Sequence, residues 1–301
     1  MFANLRRFVC KSSLPLPVLI VLIIIMTTQQ SNAAKSFQVN KVGSGTPIIL
    51  IPGLMSDDRV WKPIVDSLAQ KYELHLINIA GFGRTPPIEN FSLEKVRNEL
   101  HGYIQKNQLS SPTVIGHSLG GMIGFWLASI YPENIGAVIS VDGLPFIGPA
   151  FTRSNMTTAE SLMPQAQQFR MMYQNMTPLQ VRAQTEMGLN IQAASEEGKK
   201  TVLELASLSD PSTIGSAMYT IMTTDLRGTI EGSNVPMLLL GASGGFSGEF
   251  QHQQAEELYK AQLESVPNAT VKMNRHSRHF IMYDDPDWLI AEILSFLGTP
   301  K

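Results

Sequence analysis

Short apolar runs alternate with amphipathic helical patterns along the chain after residue 36. The apolar runs occupy residues 47–51, 74–79, 113–115, 137–141, 235–240 and 271–273. Runs of this length, apolar on both faces, are typical of buried strands in a parallel sheet. The helical patterns lie at residues 61–72, after Ser92, at 119–131 and from Asp285-Pro286 to Gly298. The alternation predicts an α/β domain with a mostly parallel central sheet flanked by helices.

Residues 146–234 interrupt this alternation, because they show no clear strand pattern and read as helices joined by polar loops. They lie between two predicted strands, so we expect an inserted helical cap, with the core formed by residues 34–145 and 235–301. Eight of the 15 methionines fall in the cap: Met156, Met163, Met171, Met172, Met176, Met187, Met218 and Met222. Methionine fills irregular apolar space, so these side chains either pack the cap or line an apolar substrate pocket.

The first 33 residues have the layout of a secretory signal peptide. The three cations that precede its apolar run are Arg6, Arg7 and Lys11. The run covers residues 14–26, and the sequence Ser-Asn-Ala at 31–33 offers small residues to a signal peptidase. Because the run is shorter than the roughly 20 residues that span a bilayer, we expect cleavage and export to the periplasm or the medium. The alternative is an uncleaved segment that anchors the protein in the membrane.

Composition excludes two broad classes of protein. Hydrophobic residues make up 44% of the 301 residues and charged residues 16%, unlike a disordered chain. Lysine and arginine number 23 against 25 acidic residues, so no basic footprint for nucleic acid exists. Removal of the three N-terminal cations changes the net charge from −2 to −5. The single cysteine, Cys10, is lost with them, so the mature chain is expected to lack disulfides. No second apolar run approaches spanning length, so no stable membrane insertion is expected after cleavage.

Residues 116–121, Gly-His-Ser-Leu-Gly-Gly, contain the pattern G-x-S-x-G between a predicted strand and a predicted helix. A sharp turn there holds Ser118 in a strained conformation, and the flanking glycines let the neighbouring backbone approach closely. The helix N-terminus favours negative charge that develops beside the serine. The pattern alone is weak evidence, but its position between strand and helix predicts that Ser118 is a nucleophile.

The chain resembles the α/β-hydrolase fold family over nearly all of residues 37–298. The segments that carry the resemblance are Pro52-Gly53-Leu54, Gly81-Phe82-Gly83, the turn at Ser118, the cap, and Arg278-His279-Phe280 before the last helix. The combination is specific for the fold and says little about the substrate. It implies that His279 takes the proton from the Ser118 hydroxyl, with His276 as the fallback.

The acidic partner of the histidine departs from the commoner pattern of the family. Most members carry it shortly after the strand that corresponds to residues 237–240, and no aspartate follows that strand here. Asp142 follows the strand after the Ser118 helix, where some haloalkane dehalogenases and pancreatic-type lipases of the family place their acid. We therefore expect Asp142 to orient His279. Asp225 is the alternative acid, although Arg227 offers it an ordinary ion pair; Glu249 is a further candidate, and the last possibility is that no acid serves.

The resemblance also implies an oxyanion hole formed by two backbone N–H groups. Leu119 supplies one because it follows the nucleophile, and Leu54 supplies the other from the loop after the first apolar run. Two fixed donors aimed at a developing oxyanion usually provide the largest single stabilisation in such sites. Met55, Met122 and Phe146 are the candidate walls of the substrate pocket.

These features predict an exported serine hydrolase that cleaves a carboxylic ester of a moderately apolar small molecule, with lactones and amides as further candidates. No metal and no organic cofactor are implied, and the oligomeric state is not predicted. Two alternatives remain open because a fold does not fix a function. One is a binding protein of the same fold without catalysis, and the other is a cofactor-free oxygenase-type member in which the serine is not acylated.

Overall fold

The computed structural model describes residues 35–298, so the predicted signal peptide at residues 1–33 lies outside the described residues. Seven strands form one sheet in the order β1-β3-β2-β4-β5-β6-β7. Their bounds are β1 Phe37–Gly43, β2 Thr46–Ile51, β3 Tyr72–Ile79, β4 Thr113–His117, β5 Ala137–Val141, β6 Met237–Ala242 and β7 Ala269–Asn274.

Twelve α-helices connect or cap the strands of the described region. Their bounds are α1 Lys62–Ala69, α2 Leu93–Lys106, α3 Leu119–Ile130, α4 Gly148–Thr152, α5 Ala159–Gln174, α6 Pro178–Met187, α7 Leu189–Gln192, α8 Glu196–Leu208, α9 Pro211–Thr223, α10 Glu249–Ala261, α11 Ile281–Asp284 and α12 Pro286–Gly298. Two short 3₁₀ turns add Asp58–Trp61 and Pro132–Asn134.

The sheet is parallel except at one edge. Strands β2 to β7 pair in parallel, and β1 pairs antiparallel with β3 through seven residue pairs from Phe37↔Ile79 to Gly43↔Glu73. The predicted fold class, a mostly parallel sheet flanked by helices, is confirmed. The edge strand β1 was not predicted, because its exposed and polar residues lack the continuous apolar run of a buried strand.

Helices cover both faces of the sheet. In β2 the side chains of Ile49 and Ile51 point into one core cluster and those of Ile48 and Leu50 into another, as the period of two requires. Helices α2 and α3 bury their apolar faces in the first cluster, and α1 and α12 bury theirs in the second. Continuous apolar runs were therefore a reliable signal for the central strands.

The predicted helix at residues 61–72 is wrong at both ends. Trp61 ends the 3₁₀ turn that begins at Asp58, and α1 stops at Ala69. The Lys71 N–H bonds the Leu68 carbonyl and closes the turn, after which Tyr72 pairs with Thr46 at the start of β3. Backbone pairing within the sheet thus overrides the helical pattern.

Six of the helices, α4 to α9, lie between β5 and β6, and residues 142–236 contain no strand. Helix α5 packs against α9, and α6 packs against α8. The cap methionines do not form one wall: Met156, Met163, Met171 and Met187 are exposed, whereas Met222 is buried. Met172, Met176 and Met218 pack against the core cluster beneath. Across residues 35–298, no helix has the length and apolar character needed to cross a bilayer.

Candidate active site

The turn from β4 to α3 holds Ser118 in a strained conformation. Ser118 has φ 52° and ψ −116°, a region that side-chain-bearing residues rarely occupy. A Cβ at Gly116 would lie 2.1 Å from the Gly120 carbonyl carbon, and one at Gly120 would lie 2.1 Å from the Ile51 carbonyl oxygen. Both glycines are therefore required by close backbone contacts, and the side chain between them is only partly buried.

His117 packs beneath this turn rather than into solvent. Its Nε2 lies 3.1 Å from the His279 carbonyl oxygen, and its ring centroid is 4.6 Å from that of His279. Since a carbonyl only accepts, Nε2 carries the proton and Nδ1 is left with a lone pair and no hydrogen-bond partner among the described residues. Burial lowers the pKa of His117 well below its ordinary value, and the charge of His279 lowers it further. His117 is a neutral structural support.

The loop that carries His279 is fixed at several points. The buried Asn274 side chain accepts the N–H groups of His276 and Ser277 at the end of β7. The N–H of Phe280 donates to the carbonyl of Gln192 at 2.8 Å, so the cap segment at the end of α7 also holds the loop. This contact between the cap and the histidine loop was missed by sequence reasoning, because backbone carbonyls leave no mark in a sequence.

Asp142 meets His279 at the carboxyl end of the sheet. The Asp142 Oδ2 atom lies 2.6 Å from His279 Nδ1, within ordinary hydrogen-bond distance. Asp142 follows β5 directly and has φ 53°, so the chain turns sharply at the acid and aims it along the sheet edge. Ser118 joins the same edge, because its N–H donates to the carbonyl of Val141, the residue before Asp142.

The second carboxylate oxygen of Asp142 accepts two hydrogen bonds. The Tyr259 hydroxyl and the Ala242 N–H each donate to Oδ1 at 2.7 Å. Burial raises the pKa of Tyr259 well above its ordinary value, and the charge of Asp142 raises it further, so the phenol stays protonated and donates. Sequence reasoning missed both groups. Ala242 is the last residue of β6, and the segment that follows it contains no aspartate, so a backbone donor contacts Asp142 from this end of the sheet.

Neither the alternative acid Asp225 nor the alternative base His276 takes part in the contact between Asp142 and His279. The Asp225 carboxylate forms a two-point ion pair with the Arg227 guanidinium, with a shortest distance of 2.6 Å. Among residues 35–298 no hydrogen bond joins Asp225 to His279, and the His276 ring is exposed and makes no side-chain hydrogen bond. Asp142 is the carboxylate that contacts His279, whereas Asp225 pairs with Arg227 and the His276 ring faces solvent.

Two backbone N–H groups beside Ser118 are free. Within the described chain, the N–H groups of Leu54 and Leu119 donate to no protein atom. The two segments touch, because a Cβ at Gly53 would lie 3.2 Å from Ser118 Cβ and 2.7 Å from His117 Nδ1. Free donors on a tight loop and at a helix N-terminus are suited to hold a developing oxyanion.

A group of ion pairs joins the same loop to the cap. Asp57, which is buried, binds the Arg59 guanidinium at 2.7 Å and accepts the Arg84 N–H. Arg59 in turn reaches Glu204 of α8 at 2.6 Å. The loop that carries Leu54 is thereby tied to the cap three residues beyond the free N–H.

The three candidate pocket residues differ in exposure. Met55 is partly exposed, whereas Met122 is 3% exposed and packs in the core. Phe146 is fully buried against Leu162, Ala166 and Met222 of the cap, with the Arg227 guanidinium 5.0 Å from its ring centre. In this conformation Met55 is the one of the three whose side chain is accessible to solvent. Among residues 35–298 no cluster of three potential ligands for a metal ion occurs.

Comparison with known proteins identifies the family of this arrangement. A model of the alpha/beta hydrolase fold matches residues 46–286, so the chain belongs to the α/β-hydrolase fold family. A pimeloyl-[acyl-carrier protein] methyl ester esterase of Vibrio vulnificus is 22% identical over 259 residues, which cover 85% of this chain and 96% of that protein.

Other matches are more local or concern the fold alone. A biotin biosynthesis bifunctional protein of Cellvibrio japonicus is 32% identical over 94 residues, 31% of this chain and only 18% of that protein. Among solved structures, a thermophilic esterase of Thermogutta terrifontis superposes with a TM-score of 0.72 at 16% identity, over 87% of this chain and 92% of the esterase. The Vibrio vulnificus protein is named as an esterase, and together with the family match this supports hydrolase activity for this chain.

Proposed function

We propose that the protein is a serine hydrolase that cleaves a carboxylic ester of a moderately apolar small molecule. The observation that carries the proposal is the 2.6 Å contact between Asp142 and His279 beside the strained turn at Ser118. A serine hydroxyl becomes a useful nucleophile when an oriented imidazole accepts its proton. The esterase activity named for the Vibrio vulnificus and Thermogutta terrifontis proteins supports an ester as the bond cleaved.

In the proposed reaction, Ser118 Oγ attacks the acyl carbon and His279 Nε2 takes the hydroxyl proton. The Asp142 carboxylate holds Nδ1–H and stabilises the imidazolium that forms. The N–H groups of Leu54 and Leu119 bind the oxyanion of the tetrahedral intermediate. Its collapse releases the alcohol, which takes the proton from His279. Water then attacks the acyl-serine in the same way and frees the acid.

The proposal extends to substrate and location. Met55 beside the free Leu54 N–H favours an acyl or alcohol group of moderate apolar character. The signal-peptide pattern at residues 1–33 supports export to the periplasm or the medium. N-terminal sequencing of the exported protein tests the second point, since a chain that begins near Ala34 is expected.

Ser118→Ala is the direct test of the reaction. Wild-type protein is expected to react with a fluorophosphonate at Ser118 and to hydrolyse aryl esters of graded acyl length. The variant is expected to lose both, with kcat reduced on the order of 10⁴-fold or more because the nucleophile is gone. Ser207→Ala is the matched control, since its hydroxyl only bonds the Glu204 carbonyl in α8.

Each alternative function gives a different result in the same experiment. A binding protein without catalysis leaves wild-type Ser118 unlabelled and all esters intact. An oxygenase-type member keeps substantial turnover of its oxygenation reaction in Ser118→Ala and loses that turnover in His279→Ala. Either result would refute the serine hydrolase.

A further inference from the structure

The acid of the proposed site is held from the side opposite His279. Asp142 gives Oδ2 to His279 and Oδ1 to two donors, the Tyr259 hydroxyl and the Ala242 N–H, both at 2.7 Å. A carboxylate with both oxygens engaged has little rotational freedom. The donors come from separate elements: Tyr259 from α10, and Ala242 from the end of β6.

The Tyr259 ring is seated so that its hydroxyl reaches this position. A Cβ at Gly241 would lie 2.5 Å from the ring, so the aromatic face packs directly on bare backbone at the end of β6. The ring also packs against the core cluster under the sheet. Its burial and the neighbouring carboxylate favour the neutral, donating phenol.

We infer that Tyr259 is a positioning residue, which holds Asp142 by Oδ1 so that Oδ2 faces His279 Nδ1. The inference rests on the proposed function for its catalytic consequence. The donor does two things: it restricts the carboxylate to one orientation, and it withdraws negative charge from Oδ2. The titratable side chains that face His279 are Asp142 and His117, and Tyr259 faces Asp142 from the other side.

Tyr259→Phe removes the hydroxyl and keeps the ring. With only Ala242 left as a donor, the carboxylate becomes a stronger acceptor for His279, so the His279 Nδ1 proton resonance is expected to move to lower field. The acid limb of the pH profile of kcat/KM is expected to move to higher pH by about half a unit, and kcat to fall on the order of tenfold with KM unchanged.

Replacement of Tyr259 by 3-fluorotyrosine gives the opposite test. Its more acidic phenol is a stronger donor, so the Nδ1 resonance and the acid limb are expected to move in the other direction. Tyr103→Phe is the matched control, because Tyr103 is a part-buried tyrosine that bonds His75 at 2.6 Å, away from the site. Melting temperatures of the variants show whether each one folds.

The two readouts separate this inference from the proposed function. The NMR signal of His279 does not depend on turnover, so it decides the role of Tyr259 even if wild-type protein hydrolyses no ester. An Nδ1 resonance that is unchanged in Tyr259→Phe would overturn the inference, and so would identical shifts in Tyr259→Phe and the 3-fluorotyrosine protein. Ester hydrolysis that remains intact beside an unmoved resonance would leave the hydrolase standing and refute the positioning role.

Discussion

At the scale of single residues, the site is defined by which atom of each side chain is already engaged. Asp142 offers Oδ2 to His279 because two donors occupy Oδ1. His117 donates through Nε2 to a backbone carbonyl and so buttresses the histidine loop. These assignments follow from donor and acceptor chemistry and lead to a sharp expectation for the acid.

Asp142→Asn is expected to reverse the tautomer of His279. The Tyr259 hydroxyl and the Ala242 N–H both donate, so the amide oxygen must occupy the Oδ1 position and the NH₂ group must face His279 Nδ1. The proton then resides on Nε2, which can no longer accept from Ser118. We expect kcat for an aryl ester to fall by on the order of 10³- to 10⁴-fold while the fold is kept.

Asp225→Asn is the matched control at the other candidate acid. Its partner Arg227 is about a quarter exposed, so the pair contributes roughly 0–1 kcal/mol to stability and nothing to proton transfer. Near wild-type kcat is expected. A large loss of activity in Asp225→Asn with little loss in Asp142→Asn would show that the assignment of the acid is wrong.

At the scale of elements, the carboxyl ends of β2, β4, β5, β6 and β7 and the loops that follow them form the site, as open parallel sheets commonly arrange it. The loop after β2 is constrained at several points. Gly53 touches both His117 and the Ser118 turn, and the ion pair of Asp57 with Arg59 holds the loop further along. The position of the Leu54 N–H therefore depends on the close fit of Gly53 against the His117 and Ser118 side chains.

Gly53→Ala tests this dependence. The added Cβ would lie 2.7 Å from the buried His117 ring, so the loop must shift and carry the Leu54 N–H with it. Loss of one oxyanion donor typically costs about 10²- to 10³-fold in kcat, and we expect an effect near the lower end in an aryl ester assay, with KM little changed.

Gly102→Ala provides the control for this substitution. Nothing lies within 4 Å of a Cβ at Gly102 in α2, so the change is expected to stabilise the helix by about 0.5–1 kcal/mol and leave kcat unchanged. If Gly53→Ala retained full kcat, the loop after β2 would not hold the oxyanion.

The central elements were predictable because each carries its own signal along the chain. Buried parallel strands appear as apolar runs, and the turn at Ser118 appears as glycines that no larger residue can replace. The elements that were missed depend on partners distant in sequence. Strand β1 exists through its pairing with β3, and Tyr259 matters through a carboxylate 117 residues away. Neither dependence is visible in a local pattern.

At the scale of the whole molecule, buried histidines link the site to global stability. Burial lowers the pKa of His117 well below its ordinary value, and His279 adds to the effect. Burial also lowers the pKa of His75, which lies on β3 and contacts Tyr103 of α2; Lys41 lowers it further and Glu73 opposes the shift. His117 bonds the His279 carbonyl and His75 bonds the Tyr103 hydroxyl, so both rings hold neighbouring elements together.

The free energy of unfolding is therefore expected to decrease as the pH falls below about 6.5, the ordinary value for histidine. The unfolded chain takes up a proton on His117 in that range and the folded chain does not, so the decrease approaches ~1.4 kcal/mol per pH unit for each such imidazole. Above that pH the contribution is constant, because both states are neutral.

Denaturant unfolding of His117→Gln between about pH 5 and pH 8 checks this expectation. The variant is less stable at pH 8, because a buried hydrogen bond and close packing are lost. Below pH 6.5 its free energy of unfolding is nevertheless expected to depend less steeply on pH than that of the wild type, by about 1.4 kcal/mol per pH unit, the contribution of one bound proton.

Met222→Ala, a cavity variant at a fully buried position, is the control: it destabilises the fold without removing a titratable group, so it should keep the wild-type slope. Equal slopes in wild type and His117→Gln would mean that His117 takes up its proton in the folded state too, and the assignment of a neutral His117 beneath Ser118 would be wrong.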